Sequence, residues 1–377
     1  MFSFNNKTII VLSPEDWGKN QLSKHHYAKE LSKNNLVYFV HTSPHQTQKE
    51  FIEISTIVPN LNLVHLKNVV KGVTKLPSYL IDIQNKYIIS KLLKAIGNPK
   101  IDMLWSFDQS KFQDLKQFKA KFSIFHPVDY IVKAATFKNR IADSANLVLS
   151  VSQPILDTIQ TKTPKHFINH GLDDIFLVKN KLFEKPIYIK SDTINVGYVG
   201  NLQMKLIDYE NLIKTVRENP TINFVFIGPD KISNLGGKTK FNELDILKSL
   251  QNTYFTGELS KFDLIKILPF FDVFWLCYNN NKFPVEVSNS HKIIEYLSTG
   301  KVVVSNFISS YSNTNLIEVL NENMLISKKI KEVSQQIKFH NTQEKKQARI
   351  SFAEENTYKK QIERIENLIN TLKNSQL

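Results

Sequence analysis

The sequence predicts an α/β protein made of two doubly wound domains. Short runs of β-branched and aromatic residues recur along the chain, and each is followed by a helix-length amphipathic stretch, which is typical of a parallel sheet with crossover helices. The pattern restarts near the middle of the chain. A length of 377 residues also exceeds what one hydrophobic core usually organises. We therefore expect two similar halves, each with helices on both faces of a parallel sheet.

The predicted strands form two series, and each is nearly continuous in apolar residues, as strands buried on both faces are. In the first half they lie at 8–12, 36–40, 102–106, 122–126, 147–151 and 166–169, and in the second half at 195–200, 223–228, 253–256, 273–276 and 301–305. Helices are expected at 22–31 and 78–97, and the chain after about residue 328 is expected to be almost wholly helical.

The domain boundaries follow from a break in this pattern. Residues 176–192 are rich in lysine, contain Pro186 and lack a clear period, so we interpret them as an interdomain hinge. The N-terminal domain is then expected at 1–175 and the C-terminal domain at 193–343. The charged amphipathic run at 344–377 must pack against another part of the protein.

The cysteine content and the N-terminus limit the location of the protein. Cys277 is the only cysteine, which excludes intrachain disulfides and multi-cysteine metal sites, and its apolar surroundings predict a buried structural thiol. The N-terminal apolar run is too short for a signal peptide, and no stretch is apolar for the roughly 18 to 20 residues of a membrane span. A cytoplasmic protein is therefore expected.

The net charge is +14 and uneven, since residues 1–150 contain 20 Lys and Arg against 11 Asp and Glu. A phospholipid surface, a lipid-diphosphate acceptor or nucleic acid would each be attracted to such a basic half. The alternative is a coding bias, because nearly all the basic residues are lysines in a chain rich in Asn and Ile. The segment 78–97 fits either a basic amphipathic helix on a membrane surface or an ordinary packing helix with a solvated lysine side.

Ligands of open parallel sheets bind beyond the carboxyl ends of the strands, which directs attention to the loops there. After the first strand, Gly18 and the following helix start would hold an anion, unless Trp17 marks an ordinary loop as a packing anchor. His126 and Asp129 emerge directly from another strand end, where they would polarise or orient a hydroxyl group. The alternative is a histidine bonded to backbone and an aspartate that caps the next helix.

Several segments resemble the GT-B glycosyltransferases of family 4 and their teichuronic-acid-type relatives. The N-terminal half matches at 142–152 and again at Ile168-Asn-His-Gly-Leu-Asp173 with Phe176, where His170 is an insertion into the family pattern. The C-terminal half matches at 196–205 and 284–305, and more weakly at 226–229, 255–259 and 353–358. The resemblance covers most of residues 142–370.

The resemblance implies a fold with two Rossmann-like domains facing across a cleft, and a C-terminal helix that crosses back to the N-terminal domain. It also implies a donor site in the C-terminal domain, where amides at a helix start and nearby lysines would neutralise a diphosphate and Glu295 would bind the donor ribose. The implied donor-binding residues are Gly200, Asn201, Lys205, Ser288, Asn289, Ser290, His291, Lys292 and Glu295.

One departure from the family pattern concerns the sugar. Relatives place a carboxylate eight positions before the residue that corresponds to Glu295, but this chain has Val287 there and Glu286 one position away. The group that contacts the sugar in relatives is therefore absent or supplied differently.

The expected function is transfer of a sugar from a nucleotide-sugar donor to a glycan or lipid-linked acceptor in cell-surface polysaccharide synthesis. Retention of configuration follows from the resemblance. The donor is a substrate, no cofactor is expected, and no metal is expected because the chain lacks an Asp-x-Asp motif. His126 and Asp129 would be the catalytic residues on the acceptor side. The alternatives are a nucleotide-sugar epimerase of the same fold and a non-catalytic basic scaffold or nucleic-acid-binding protein, although the dispersed lysines argue against a nucleic-acid partner.

Overall fold

The computed structural model describes residues 2–18, 21–41, 50–67, 76–131, 135–177, 183–230 and 242–374. The chain forms two compact units, Met1–Asn169 with Tyr358–Leu377 and His170–Thr357. Each unit contains a largely parallel sheet with helices, so the predicted α/β class is confirmed. Residues 178–182 of the predicted hinge lie outside the described residues, and the rest of that segment belongs to the second unit.

The first unit contains eight strands and five helices within the described residues. They are β1 (Thr8–Ser13), α1 (Ser23–Ser32), β2 (Leu36–His41), β3 (Ile52–Val58), β4 (Leu61–Leu66), α2 (Ser78–Ala95), β5 (Met103–Ser106), β6 (Phe122–Phe125), α3 (Ala135–Ser144), β7 (Leu147–Ser150), α4 (Gln153–Asp157) and β8 (Lys165–Phe167), together with the last helix of the chain, Tyr358–Asn374.

The sheet of the first unit has the order β3-β4-β2-β1-β5-β6-β7-β8. All neighbouring strands are parallel except β3, which pairs antiparallel with β4 at the edge. The sequence prediction missed both of these strands. Most of β3 is exposed, and an exposed edge strand lacks the buried apolar run on which strand prediction depends.

Successive side chains of the central strand, β1, pack into hydrophobic cores on opposite faces of the sheet, because side chains alternate across a sheet. Ile9 and Val11 pack with α1 and the final helix of the chain, whereas Ile10 and Leu12 pack with α2 and α3. The sheet is therefore buried on both faces, as the near-continuous apolar strands predicted.

The second unit contains the remaining elements. They are β9 (Asn195–Val199), α5 (Tyr209–Glu218), β10 (Asn223–Ile227), α6 (Asn242–Lys248), β11 (Thr253–Gly257), α7 (Lys261–Ile267), β12 (Val273–Leu276), α8 (His291–Leu297), β13 (Val302–Asn306), β14 (Glu318–Leu320), α9 (Ile326–Gln335), α10 (Ile337–His340) and α11 (Gln343–Glu354). The final helix, in the first unit, is α12. All the strands form one parallel sheet of order β11-β10-β9-β12-β13-β14.

Local polar residues set where the helices begin. Asp208, Ser260 and Thr342 each accept a hydrogen bond from a backbone N–H in the first turn of α5, α7 and α11, which satisfies a donor that has no partner within the helix. The charged C-terminal run is not one helix, since it ends at Glu354 and restarts at Tyr358. Between them, Asn356 O accepts a hydrogen bond from Leu172 N at 2.7 Å.

Candidate functional site

The topology of the second unit places a crevice at one point of its sheet. The chain passes from β9 outward to β10 and β11 and then returns to β12 on the other side of β9. Crossover helices leave neighbouring strands in opposite directions at such a switch point, and ligands bind there beyond the carboxyl ends of the strands. Gly200 follows β9 and Tyr278 follows β12, so these two positions border the candidate site.

Lys292, in the first turn of α8, places its ammonium group at this site. The residue is only 6% exposed, and Nζ donates a hydrogen bond to Tyr278 Oη at 2.6 Å. Nζ also lies 5.8 Å from the ring centre of Tyr198 and 5.3 Å from that of Tyr278. No carboxylate forms an ion pair with Lys292 within the described residues. A buried cation without an anionic partner is costly, and an anionic ligand would supply that partner.

Two glycines bring the loops of the site together. Gly200 has a φ of +147°, and a Cβ there would lie 2.3 Å from Cε of Lys292. Gly228, at the end of β10, has a φ of +140°, and its Cβ would lie 2.1 Å from the carbonyl oxygen of Gly200. Gly200 N donates to Ile227 O at 2.7 Å. Glycine at these positions therefore permits both the backbone conformation and the close approach of the lysine.

Asn201 adds a hydrogen-bond donor to the same loop. Its Oδ1 accepts from Gln203 N at 2.8 Å, which fixes the orientation of the amide. The Nδ2 group is buried and has no hydrogen-bond partner in the described part of the chain. Buried amide groups are rarely left unpaired in native proteins, and a ligand oxygen would satisfy this one.

Glu295 lies one turn further along α8 and is partly buried. Burial raises the pKa of its carboxyl group from 4.5 to about 7, Asp173 acts in the same direction, and Lys261 and Lys292 oppose the shift. Lys261 is itself paired with Asp173 at 3.0 Å. The carboxyl group thus exchanges its proton near neutral pH, and either form can bond a ligand hydroxyl group.

The other polar residues predicted to bind the donor lie at the start of α8 or just before it. Ser288 is buried and its hydroxyl donates to Val285 O at 2.5 Å. The backbone of Asn289 bonds His170, whose ring lies 6.0 Å from that of His291. Burial lowers the pKa of His170 to about 4, so the inserted histidine is neutral at pH 7. Ser290 is the N-cap residue of α8 but makes no side-chain capping bond.

Lys205 lies apart from these groups. Lys205 is exposed, and its Nζ lies 5.6 Å from the ring centre of Phe283. The described contacts do not join it to Gly200, Asn201 or Lys292. Tyr198 and Tyr278, which enclose Lys292, were not predicted from the sequence, because each sits within an apolar run and resembles an ordinary core aromatic residue.

In the first unit, His126 lies at the end of β6 and is 0% exposed. Its Nδ1 accepts a hydrogen bond from Trp105 Nε1 at 3.2 Å, and its ring stacks on that of Phe107 at 5.0 Å. Asp129 is exposed. The structure therefore does not bring these two side chains into one hydrogen-bonded pair, and their catalytic role stays a prediction.

The loop after β1 has the features of a packing loop. Trp17 packs edge-to-face on Phe39 at 4.8 Å and on His25 at 5.1 Å. A Cβ at Gly18 would meet only Asp16 Oδ1, at 3.5 Å, so glycine is not required there by the described residues. An anion site at Trp17 and Gly18 stays a prediction, and residues 19–20 lie outside the described residues.

A histidine cluster in the first unit was also missed by the sequence prediction. His41 is the last residue of β2, and His65 is the penultimate residue of β4. Their ring centres are 4.1 Å apart. Burial, together with His65, Lys111 and His25, lowers the pKa of His41 to about 3. The only sequence signal was the histidine at the end of a strand, and β4 itself was not predicted.

The described residues contain neither a metal-binding cluster nor a membrane-spanning helix. No group of three or more His, Cys, Asp or Glu side chains there is arranged to hold a metal ion. Within the same residues, every helix is too short or too polar to cross a membrane.

No family model matches the chain, and no curated protein matches it in sequence. Solved structures do match it. Sucrose-phosphate synthase from Thermosynechococcus elongatus aligns with a TM-score of 0.71 at 12% identity, over 98% of this chain and 100% of that one. Anabaena HepE in complex with UDP-glucose gives 0.66 at 14% identity, over 97% and 100%. A glycosyltransferase from Rickettsia africae gives 0.65 at 12% identity, over 98% and 99%. These similarities establish the fold, so the predicted GT-B architecture with two Rossmann-like domains is confirmed.

Proposed function

We propose that this chain is a nucleotide-sugar glycosyltransferase of the family 4 type, with its donor site in the second unit. The observation that carries the proposal is the buried Lys292 ammonium group, which lies beside two tyrosine rings at the switch point of a Rossmann-like sheet and forms no ion pair with a carboxylate within the described residues. A diphosphate is the ligand that such a position fits, because it supplies the missing negative charge.

Each group at the site has a role in this proposal. Lys292 and the Asn201 amide bind the diphosphate and stabilise the charge that develops on it when the glycosidic bond to the donor breaks. Glu295 binds the ribose hydroxyl groups. Because these fixed protein groups neutralise the leaving group, transfer proceeds without a metal ion, and the family 4 resemblance carries the proposal that configuration is retained.

The acceptor is proposed to be a glycan or a lipid-linked sugar used in cell-surface polysaccharide synthesis on the cytoplasmic side of the membrane. The motif resemblance and the basic charge of residues 1–150 support an acceptor with an anionic carrier. HepE is a fold neighbour crystallised with UDP-glucose, which makes a uridine nucleotide the first donor to test.

The donor site is tested by thermal unfolding in the presence of UDP, GDP, ADP and CMP. We expect one nucleotide to raise the melting temperature of the parent chain, since a ligand at about 100 times its Kd stabilises a protein by about 2.7 kcal/mol. Lys292→Met should abolish this shift. Lys282→Met is the matched control, because it removes an exposed lysine that lies beside Phe283, apart from Lys292, and should leave the shift unchanged. A parent chain that responds to none of the nucleotides would contradict the proposal.

The reaction is tested by incubating the chain with the responding nucleotide-sugar and cell-derived glycan or lipid-linked acceptors. We expect release of the nucleotide to be much faster when an acceptor is present, because water alone is a poor acceptor in such a site. Conversion of the donor to an isomer without an acceptor would instead identify an epimerase. Salt-sensitive binding of RNA or DNA with no nucleotide response would identify the non-catalytic alternative.

A further inference from the structure

The outward face of α2 carries large apolar side chains, although the opposite face of the helix already packs in the hydrophobic core. Ile81, Ile89 and Leu92 are buried against the first unit. Tyr79, Ile83 and Tyr87 are spaced four residues apart and thus form one stripe along the helix, and they are 63%, 62% and 57% exposed. A surface helix normally places polar residues on that side. The stripe is therefore not explained by the packing of the unit itself.

The exposed charged side chains of this helix are all lysines. Lys86, Lys91 and Lys94 are exposed, and Lys91 Nζ lies 5.5 Å from the ring centre of Tyr87. Asp82 is the only acidic residue of the helix, and its carboxylate is paired with Arg140. The exposed face thus combines large apolar side chains with unneutralised lysines.

We propose that this face, the α2 surface formed by Tyr79, Ile83, Tyr87, Lys86, Lys91 and Lys94, binds anionic phospholipid bilayers. Tyrosine and isoleucine side chains enter the boundary between headgroups and acyl chains, and tyrosine is favoured there because its ring is apolar and its hydroxyl group polar. The lysines meet the anionic headgroups. Charge complementarity favours a lipid surface over a basic or neutral partner.

The α2 surface goes beyond the proposed glycosyltransferase function and is independent of it. It lies in the first unit, whereas the donor site lies in the second. Membrane binding and nucleotide binding can therefore fail separately. If both hold, the bilayer brings the enzyme to acceptors that are linked to lipid.

The test is sedimentation of the full chain with phosphatidylcholine vesicles and with vesicles of phosphatidylcholine and phosphatidylglycerol in equal parts, which have a negative surface potential. We expect much tighter binding to the anionic vesicles. Three lysines near such a surface contribute about a hundredfold in affinity, so the variant Lys86→Gln/Lys91→Gln/Lys94→Gln should lose most of that preference. Ile83→Glu/Tyr87→Glu should reduce binding to both kinds of vesicle.

The matched control is Phe262→Glu in α7. Phe262 is 54% exposed and has Lys266 Nζ 4.2 Å from its ring centre, so it repeats the aromatic and lysine chemistry outside the α2 surface. This control should bind vesicles like the parent chain. Circular dichroism and the nucleotide-induced thermal shift report whether the α2 variants are folded. The proposal would be overturned if the parent chain stayed in the supernatant or if the α2 variants sedimented like the parent. It would also be overturned if the parent chain bound no vesicles but formed a complex with another protein that Ile83→Glu/Tyr87→Glu disrupts.

Discussion

Replacement of Glu295 by glutamine is expected to stabilise the second unit in a pH-dependent way. The pKa of this carboxyl group is about 7 in the folded protein, against an ordinary value of 4.5. The folded state therefore holds the proton more tightly than the unfolded chain does, and the unfolding free energy falls as the pH rises from about 4.5 to about 7. Glutamine keeps the shape of the side chain but removes this titration.

The magnitude follows from the difference between the two pKa values. Ionisation of the folded carboxyl group costs about 3 kcal/mol once the pH is well above 7. Since Glu295 keeps part of its solvent contact, we expect Glu295→Gln to raise the unfolding free energy by about 2 kcal/mol more at pH 8 than at pH 5. Below pH 4.5 the parent and the variant should differ little for this reason.

Urea unfolding of both chains at pH 5 and pH 8 measures this difference. Glu286→Gln removes a carboxylate from the segment just before α8 and controls for the loss of one negative charge. An equal effect of Glu295→Gln at the two pH values would refute the reasoning, because it would show that the carboxyl group is not desolvated in the folded protein.

The remaining predictions concern the surroundings of Lys292. Lys292→Met should leave the melting temperature of the ligand-free protein unchanged or raise it, because it removes a buried cation that forms no ion pair within the described residues; a large decrease in a calorimetric scan would contradict this. Tyr278→Phe removes the hydrogen bond to Nζ but keeps the aromatic ring, so the Kd for the responding nucleotide should rise by about 3- to 10-fold in titration calorimetry, and an unchanged Kd would argue against the contact. Gly228→Ala should lower the unfolding free energy by at least about 2 kcal/mol through backbone strain and collision with the carbonyl oxygen of Gly200. Gly97→Ala, with a φ of +85° and no atom within 4 Å of the added Cβ, should cost only about 1 kcal/mol, and equal losses in denaturant unfolding would show that the collision is absent.

The sequence allowed the two sheets and much of their strand content to be predicted. The six predicted strands of the first unit and five of the second lie within two residues of observed strands. They were predictable because a strand buried on both faces must be apolar along its length. The edge strands β3 and β14 were missed, since partial exposure removes that signal. The interior strand β4 was missed as well, although most of its residues are buried.

The candidate donor site was only partly predictable. Lys292, Glu295, Gly200 and Asn201 were predicted from the resemblance to the family 4 motifs, and their role in donor binding stays a prediction. Tyr278 was missed, because an aromatic residue at the end of an apolar strand looks the same in sequence whether it fills a core or holds a lysine. For His126, the sequence left two interpretations open, and the structure places the ring in an aromatic cluster.

The sequence by itself determined the alternation of strands and helices and the two-unit plan, because these depend on local periodicity and residue type. Only the tertiary structure decided that Lys292 is buried and forms no ion pair with the described carboxylates, and that the Glu295 carboxyl group titrates near neutral pH. It also showed that α2 exposes its apolar stripe. These properties depend on which side chains, from distant parts of the chain, remove water from each group, and that information is absent from local sequence.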